Sequence, residues 1–513
     1  MTARIPRFLR FLALLAFAAC SPTEEEATTA TPEEVSPSAA QDPQPNGPSV
    51  LPVDEVLEWP TQVRVPRDVE PRFERVVLVT IDTLRKDHVS SYGYPRATTP
   101  FLDSLARKGA LFDHAVSSSS HTAPSHATML TGLHPLEHGV LENGAKLDPE
   151  LIDLARVFKR AGFRTAAFLN VRFLEAISSS FHHVEAKVLR APPVVDATLE
   201  WLEAERLKRF FLWVHLYEPH HWKKNRPPVH QTLPDVEEST TLDDDALFAH
   251  LEELHGLTPG AEEGTWILGP SNDDGGGDIE LVTREDFLAH VDRYDALIRQ
   301  ADKQVRRLYR AIDDEELGGS TLWVVTSDHG EGIGSHEFSG HGGRIYQEQL
   351  NVPLWIHASD GSIAQRRVPE LVQHVDLLPT LAEVVQGEPV GFDPAKGGVS
   401  LWPLLTGEGS WRERPAFSQR RPSASGREED LFALQTSTTK YIFHSGEEDE
   451  LYDLGSDPGE RSNVIGSGHP DEERLLELMK RRLRWYGERR AAANEVELSE
   501  EYEDELRALG YAE

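Results

Sequence analysis

Cysteine is almost absent from this 513-residue chain, which has a single one at Cys20. Downstream of it there is no thiol, so disulfides, thiolate metal sites and a cysteine nucleophile are excluded from the globular part. Positive charge is scarce as well: 52 Lys and Arg stand against 86 Asp and Glu, for a formal net charge of -34. Without long basic tracts, nucleic acid is excluded as a partner, and polyanions are repelled except at a local site. Long apolar runs are also missing, since FLALLAFAA near the start is too short to span a bilayer as a helix. What is present is 39% hydrophobic residues, enough for a large core in two or three units.

The N-terminus MTARIPRFLRFLALLAFAAC has arginines at positions 4, 7 and 10, then the short apolar run, then small residues before Cys20. This pattern reads as an export signal over residues 1–20, similar to a bacterial lipoprotein signal, although Phe17 stands where Leu is usual. The expectation is an exported, cell-envelope protein, periplasm-facing or at the cell surface, held to the membrane only through a lipid on Cys20. Cleavage after Ala16-Phe17-Ala18, releasing a soluble protein, is the alternative. Residues 21–74 form a tether, most clearly in the Pro/Ser/Thr/Glu-rich part up to Asn46.

Structure is expected from Arg75. Continuous apolar runs at 76–81, 164–169, 210–215, 321–326 and 353–357 suit strands covered on both faces. Helical patterns lie between them at Pro100–Lys108, Leu151–Arg160, Ala197–Arg206 and Arg284–Ile312. This alternation predicts an α/β fold with a mostly parallel central sheet flanked by helices over residues 75–388. A smaller C-terminal α+β subdomain follows at 389–490, with strands LFALQT, KYIFH and ELYDL, a helix over Asp471–Arg490, and Trp402, Trp411 and Tyr452 as packing aromatics. Residues 491–513 are an acidic tail.

In such sheets ligands gather at the carboxyl ends of strands. Three runs end in acids and histidines there: Asp82 after VVLVTI, His215 then Glu218-Pro219-His220 after FFLWV, and Asp328-His329 after TLWVVTS. Alone, each is as readily a turn or helix cap. Together they offer the oxygen and imidazole ligands of a divalent cation. In HTAPSHATMLTG, Thr122 precedes Pro124 at an expected first helical position, and Gly132 ends the run. Thr122 is therefore a helix cap, or a nucleophile whose alkoxide meets free N–H groups and the positive end of the helix dipole.

Five segments in order, VTIDTLRKDHVSSYGYPRATTPFLDSLARKGALF, TAPSHATMLTGLHPLEHGV, FFLWVHLYEPH, VVTSDHGEGIGSHEFSGHGGRIYQEQLNVPLWI and ELYDLGSDPGE, resemble the sulfatase family of the alkaline phosphatase superfamily. The resemblance implies an alkaline phosphatase-like core, one divalent metal (Ca, Mg, Mn or Zn) and a nucleophile that carries the transferred group. By the same resemblance Asp82, Asp328 and His329 are metal ligands, and Thr122 is the nucleophile and touches the metal. His220 falls on a contact to the anionic group, and His341 near a residue on the transferred group or leaving oxygen. The implied substrate is a small-molecule, glycan or lipid ester of sulfate or phosphate.

The departures carry chemistry. Sulfatases place Cys or Ser in Cys/Ser-x-Pro-Ser-Arg and oxidise it to formylglycine, whereas this chain reads Thr122-Ala123-Pro124-Ser125-His126. Threonine cannot give that aldehyde, so no formylglycine is expected. Thr83 replaces a second acid, and AAFLN at 166–170 replaces a Gly-Lys-x-His segment. A hydrated aldehyde expels sulfate by carbon–oxygen cleavage, an exit threonine lacks. Phosphothreonine can be cleared by in-line attack of water or an alcohol on phosphorus, so Thr122 suits phosphoryl chemistry. A phosphoryl transferase and a catalytically silent binding protein of the same fold are the other readings.

Among other histidines, His134, His138, His221 and His230 are expected to be structural or solvated, while His215 and His336 are candidates to line the pocket. Residues 223–280 read as an acidic insertion that covers the mouth of the site. Its SNDDGGGD, at 271–278, lacks calcium-loop spacing and is expected to be a mobile surface loop.

Overall fold

The computed structural model describes residues 70–489 except 188–189, 206–208, 224–241, 271–278, 314–318, 387–396, 421–429 and 446–447. The export signal, most of the tether, His230, SNDDGGGD and the acidic tail lie outside the described residues. Among the described residues no helix is long and apolar enough to cross a membrane.

Eight strands form the main sheet: β1 Arg75–Ile81, β2 Ala110–Val116, β3 Arg164–Leu169, β4 His183–Ala186, β5 Phe210–Leu216, β6 Thr321–Ser327, β7 Asn351–Ala358 and β8 Arg366–Gln373. Their spatial order is β8-β2-β7-β6-β1-β5-β3-β4. β7 alone runs against its neighbours, pairing antiparallel with β2 and β6, while the other pairings are parallel. The apolar runs become strands because both faces are covered. Val76 and Leu78 of β1 pack with helices α2 Thr122–Thr131, α3 Leu154–Arg160 and α7 Leu377–Gln386. Val77, Val79 and Ile81 pack with α1 Pro100–Ala106, α4 Ala191–Glu205 and α6 Arg284–Ile312.

The expected helices stand with shifted ends. α3 starts three residues later than its pattern because Asp153 caps it, accepting the Arg156 N–H at 2.8 Å. α6 spans the predicted Arg284–Ile312, capped by Thr283. The acidic insertion carries α5 Asp244–His255 and an antiparallel sheet of Thr258–Pro259, Thr265–Pro270 and Ile279–Thr283. Leu247, Phe248 and Leu251 of α5 join the main core, so this part of the insertion is a packed element. Gly269, at φ +119, lets its hairpin backbone approach Phe338 where a Cβ would stand 2.7 Å from that residue's Cα.

The C-terminal unit is a four-stranded antiparallel sheet, β9 Ala416–Arg420, β10 Leu431–Gln435, β11 Thr439–His444 and β12 Glu450–Asp453, with helix α8 Glu472–Arg489. Leu475 and Met479 of α8 pack on Phe417, Phe432 and Tyr441. The opposite face meets Val116, Leu350 and Leu371 of the large unit, with Tyr452 in that seam. Trp402 packs elsewhere than expected: it stacks 6.1 Å from Phe73 in the main core, and Trp411 packs against the same core.

Candidate active site

The parallel register sets Ile81 beside both Leu216 and Ser327, so Asp82, Tyr217 and Asp328 leave three neighbouring strands level with one another. Main-chain cross-ties hold the two acids. Asp328 Oδ1 accepts the N–H of Thr83 at 3.1 Å and of His329 at 2.8 Å. Ser327 Oγ donates to Ile81 O at 2.7 Å and accepts the Leu84 N–H at 2.9 Å. Thr83, at φ +55, turns the chain sharply here, and the Tyr294 hydroxyl of α6 holds its carbonyl at 2.6 Å.

Each ligand candidate keeps one atom uncommitted. His215 accepts the Asn170 N–H on Nδ1 at 3.4 Å, so its proton sits on Nε2 and donates to Asp82 Oδ2 at 3.2 Å. Asp82 Oδ1 and Asp328 Oδ2 are buried without a hydrogen-bond partner among the described residues. His329 donates Nδ1–H to Gly330 O at 2.9 Å, leaving the Nε2 lone pair 3.5 Å from Asp328 Oδ2. Ligand atoms of Asp82, Asp328 and His329 all lie within 4.8 Å of one another. Two orphaned carboxylate oxygens and an oriented imidazole fit a divalent cation, with His329 fixed by its main-chain bond.

The electrostatics agree. Burial, then the carboxylates of Asp328 and Glu331, push the Asp82 carboxyl well above its usual range, and burial raises Asp328 too. A cation held here would supply the charge that keeps both ionised. Burial drives His329 well below its ordinary value, into the neutral form a metal requires. His126, His215 and Asp328 make a second close cluster. Its imidazoles are committed, however: His126 donates Nδ1–H to Thr122 O at 2.7 Å and accepts on Nε2 from Thr80 Oγ1 at 2.9 Å. These rings support the site and have no lone pair left to ligate.

Thr122 is buried and is the first residue of α2, with Oγ1 3.4 Å from His329 Nε2. Gly132 ends the helix at φ +66, as its position predicts. The sequence places Thr122 before the helix and Pro124 first in it; the helix instead begins at Thr122. The N–H donors that follow Thr122 in the first turn are also spent. Ala123 N–H goes to Asn143 Oδ1 at 2.8 Å, Ser125 N–H to His121 O at 3.1 Å, and Pro124 has none. The helix dipole remains as the backbone contribution.

His341 stacks on His329 with centroids 4.6 Å apart, and His220 meets His341 edge-on at 4.8 Å. Tyr217 backs His220 at 4.3 Å, and Nδ1 of His341 faces both carboxylate oxygens of Glu331 at 3.4 Å. The six expected residues, Asp82, Thr122, His220, Asp328, His329 and His341, thus share one site. His336 lies apart, with Nδ1 3.2 Å from Glu348 and its ring on Tyr346 at 3.8 Å. His134 and His138 are buried and structural: His134 caps a short helix, and His138 Nε2 lies 3.1 Å from Thr128 Oγ1. Glu331 and Asn143 were not singled out in the sequence; Glu331 sits inside SDHGEG, where its nearness to Asp328-His329 is the signal available.

A doubly covered sheet that gathers carboxylates, imidazoles and a helix-start hydroxyl at its carboxyl edge places the protein in the alkaline phosphatase superfamily of hydrolases. The chain belongs to the sulfatase family, hydrolases of sulfate or phosphate esters: that family's model matches residues 74–178 and 192–387. The N-sulphoglucosamine sulphohydrolase C-terminal model matches 337–488. A Delta 4,5-hexuronate-2-O-sulfatase of Bacteroides thetaiotaomicron is 24% identical over 77% of this chain and 84% of its own. A multifunctional alkaline phosphatase superfamily protein of Trinickia caryophylli is 23% identical over 77% of this chain and 91% of its own. The phosphonate monoester hydrolase of Agrobacterium radiobacter shares the fold, with TM-score 0.62 and 21% identity over 84% of this chain and 99% of that one.

Proposed function

We propose that the protein is an exported, metal-dependent hydrolase that cleaves phosphoric esters more readily than sulfuric ones, with Thr122 as nucleophile. The observation that carries this reading is the Thr122 hydroxyl at the start of α2, 3.4 Å from Nε2 of His329, which itself clusters with Asp82 and Asp328. Asp82, Asp328, His329 and the Thr122 hydroxyl would hold a divalent cation, which would lower the hydroxyl's pKa and neutralise charge on the ester's oxygens. Thr122 Oγ, its proton lost to solvent, attacks phosphorus while the ester P–O bond breaks. His341 protonates the leaving oxygen, and His220 binds the anionic group. Water then attacks phosphorus in line, the Oγ–P bond breaks, Thr122 takes the proton that water gives up, and His341 is reprotonated from solvent.

Relatives named for hexuronate 2-O-sulfate and N-acetylglucosamine 6-O-sulfate, and a structural neighbour named for phosphonate monoesters, support a small-molecule or glycan ester as substrate. The test is hydrolysis of an aryl sulfate, an aryl phosphate and an aryl phosphodiester by the metal-loaded protein and its Thr122 variants. Thr122→Ala is expected to lose turnover by about three orders of magnitude or more while remaining folded, and Thr122→Ser to keep part of it. Preferred cleavage of aryl sulfate, with Thr122 unmodified by mass spectrometry, would overturn the phosphoester assignment. Bound metal without turnover of any ester would leave a binding protein.

A further inference from the structure

We propose that Ser117 and Ser125 are positioning residues that lock the Asp328 main chain against the nucleophile-bearing helix and thereby set the affinity of the cluster for a divalent cation. The inference rests on the metal-dependent reading above. Asp328 O, fully enclosed, accepts hydroxyl hydrogen bonds from two other parts of the chain: Ser125 Oγ at 2.7 Å and Ser117 Oγ at 2.6 Å, the Ser117 proton being divided between this acceptor and the more distant Ser119 O at 2.8 Å. The two hydroxyl oxygens are 3.1 Å apart, and both residues are buried.

The direction of the Ser125–His374 bond follows from its neighbours. Ser125 commits its only proton to Asp328 O, so His374 Nδ1, 3.1 Å from Ser125 Oγ, carries the hydrogen between them. Burial pushes His374 down to about 3, so its ring is neutral, and in the tautomer that donates to Ser125 its one proton sits on Nδ1. Ser117 follows β2, with its N–H on Leu350 O at 2.8 Å and its carbonyl taking the Ser418 hydroxyl at 2.6 Å. One carbonyl is thereby tied to β2, to α2 and, through His374, to the start of α7.

That carbonyl belongs to the peptide joining Asp328 to His329. Turning the peptide moves the Asp328 carboxylate and the His329 ring together, so its orientation fixes two ligands at once. Ser125 lies on the same rigid turn of α2 as Thr122, so the bond that holds the ligand strand also holds the nucleophile in register with it. Ser125 therefore has a purpose in a chain whose Thr122 cannot be oxidised to an aldehyde.

The test is calorimetric titration of Mn2+ into the chelator-stripped full chain, alone and as Ser117→Ala, Ser125→Ala and the double variant, with Asp328→Ala as the non-binding control. Each single variant is expected to bind Mn2+ roughly ten-fold more weakly. The double variant should lose less than the product, because both hydroxyls serve one acceptor. Ser125→Thr, which keeps the donor, should bind more tightly than Ser125→Ala. If Ser125→Ala does not fold, Ser117→Ala carries the test by itself, since its side chain lies outside the helix. Unchanged Mn2+ affinity with a lowered unfolding temperature of the metal-free protein would show a packing role and overturn the proposal. A wild-type protein that binds no divalent cation would instead overturn the functional reading, and the proposal with it.

Discussion

At the scale of single residues, the chain uses histidines in two different electrical states. Around Thr122 they are buried and neutral, with each ring nitrogen of His126 and His215 matched to one partner. His336 is the opposite case. Burial alone would lower its pKa, but the Glu348 carboxylate, with help from Glu460, outweighs burial and pushes the ring up to about 9. Glu348, which burial would raise, is held below its usual range by the same pairing. Tyr346 covers the ring at 3.8 Å, and the Glu460 carbonyl takes Nε2–H at 3.0 Å. Because the folded value lies above the unfolded one, near 6.5, His336 contributes its full stability below that pH and loses it as pH rises through about 9. The stability gap between wild type and His336→Gln, on the order of 2 to 3 kcal/mol in urea unfolding at about pH 6, should shrink markedly by about pH 10. A gap that stays constant over that range would mean the ring is not charged in the fold.

At the scale of elements, legibility followed burial and periodicity. The central strands were readable because Val76 to Ile81 and their neighbours are apolar on both faces. β2 and β8 were not, because Asp113-His114 interrupts one, and a proline and a register shift interrupt the other. α5 hid in acidic sequence, since only Leu247, Phe248 and Leu251 mark its buried side. Within the site, the strand-end acids were visible from their positions. Ser117, Ser125, Ser327 and Asn143 were not, because hydroxyls and amides that serve distant main chain leave no periodic trace. Gly132 belongs to this scale: its φ of +66 closes α2, and a Cβ there would stand 3.1 Å from Leu378 Cβ and 3.3 Å from Val375 O. Gly132→Ala should therefore cost on the order of 2 kcal/mol in thermal or urea unfolding, from left-handed strain and displacement of α7 together. A loss below about 0.5 kcal/mol would show that the turn relaxes freely.

At the scale of the whole molecule, the net charge of -34 opposes the anionic esters the site is built to accept. Long-range repulsion is screened by salt, so kcat/KM for a polyanionic glycan ester should rise several-fold between about 0.01 and 0.2 M salt, and less for a small aryl ester. A fall over the same range would mean that local positive charge governs capture. Membrane attachment through Cys20, proposed from the sequence, predicts that Cys20→Ser moves the protein from the membrane fraction to the soluble one. A wild type already soluble and free of lipid by mass spectrometry would show plain secretion. The cross-tie between Thr83 and Asp328 joins positions 245 residues apart, just past the ends of adjacent strands. Such a contact is expected to form late, because a long loop must close before the pairing rewards it. A nascent or unfolded precursor therefore has Asp82 and Thr122 but no enclosure for them, so ester cleavage should begin only once the later strands have zipped in. For a chain that leaves the cytoplasm unfolded, that delay would keep the chemistry on the far side of the membrane.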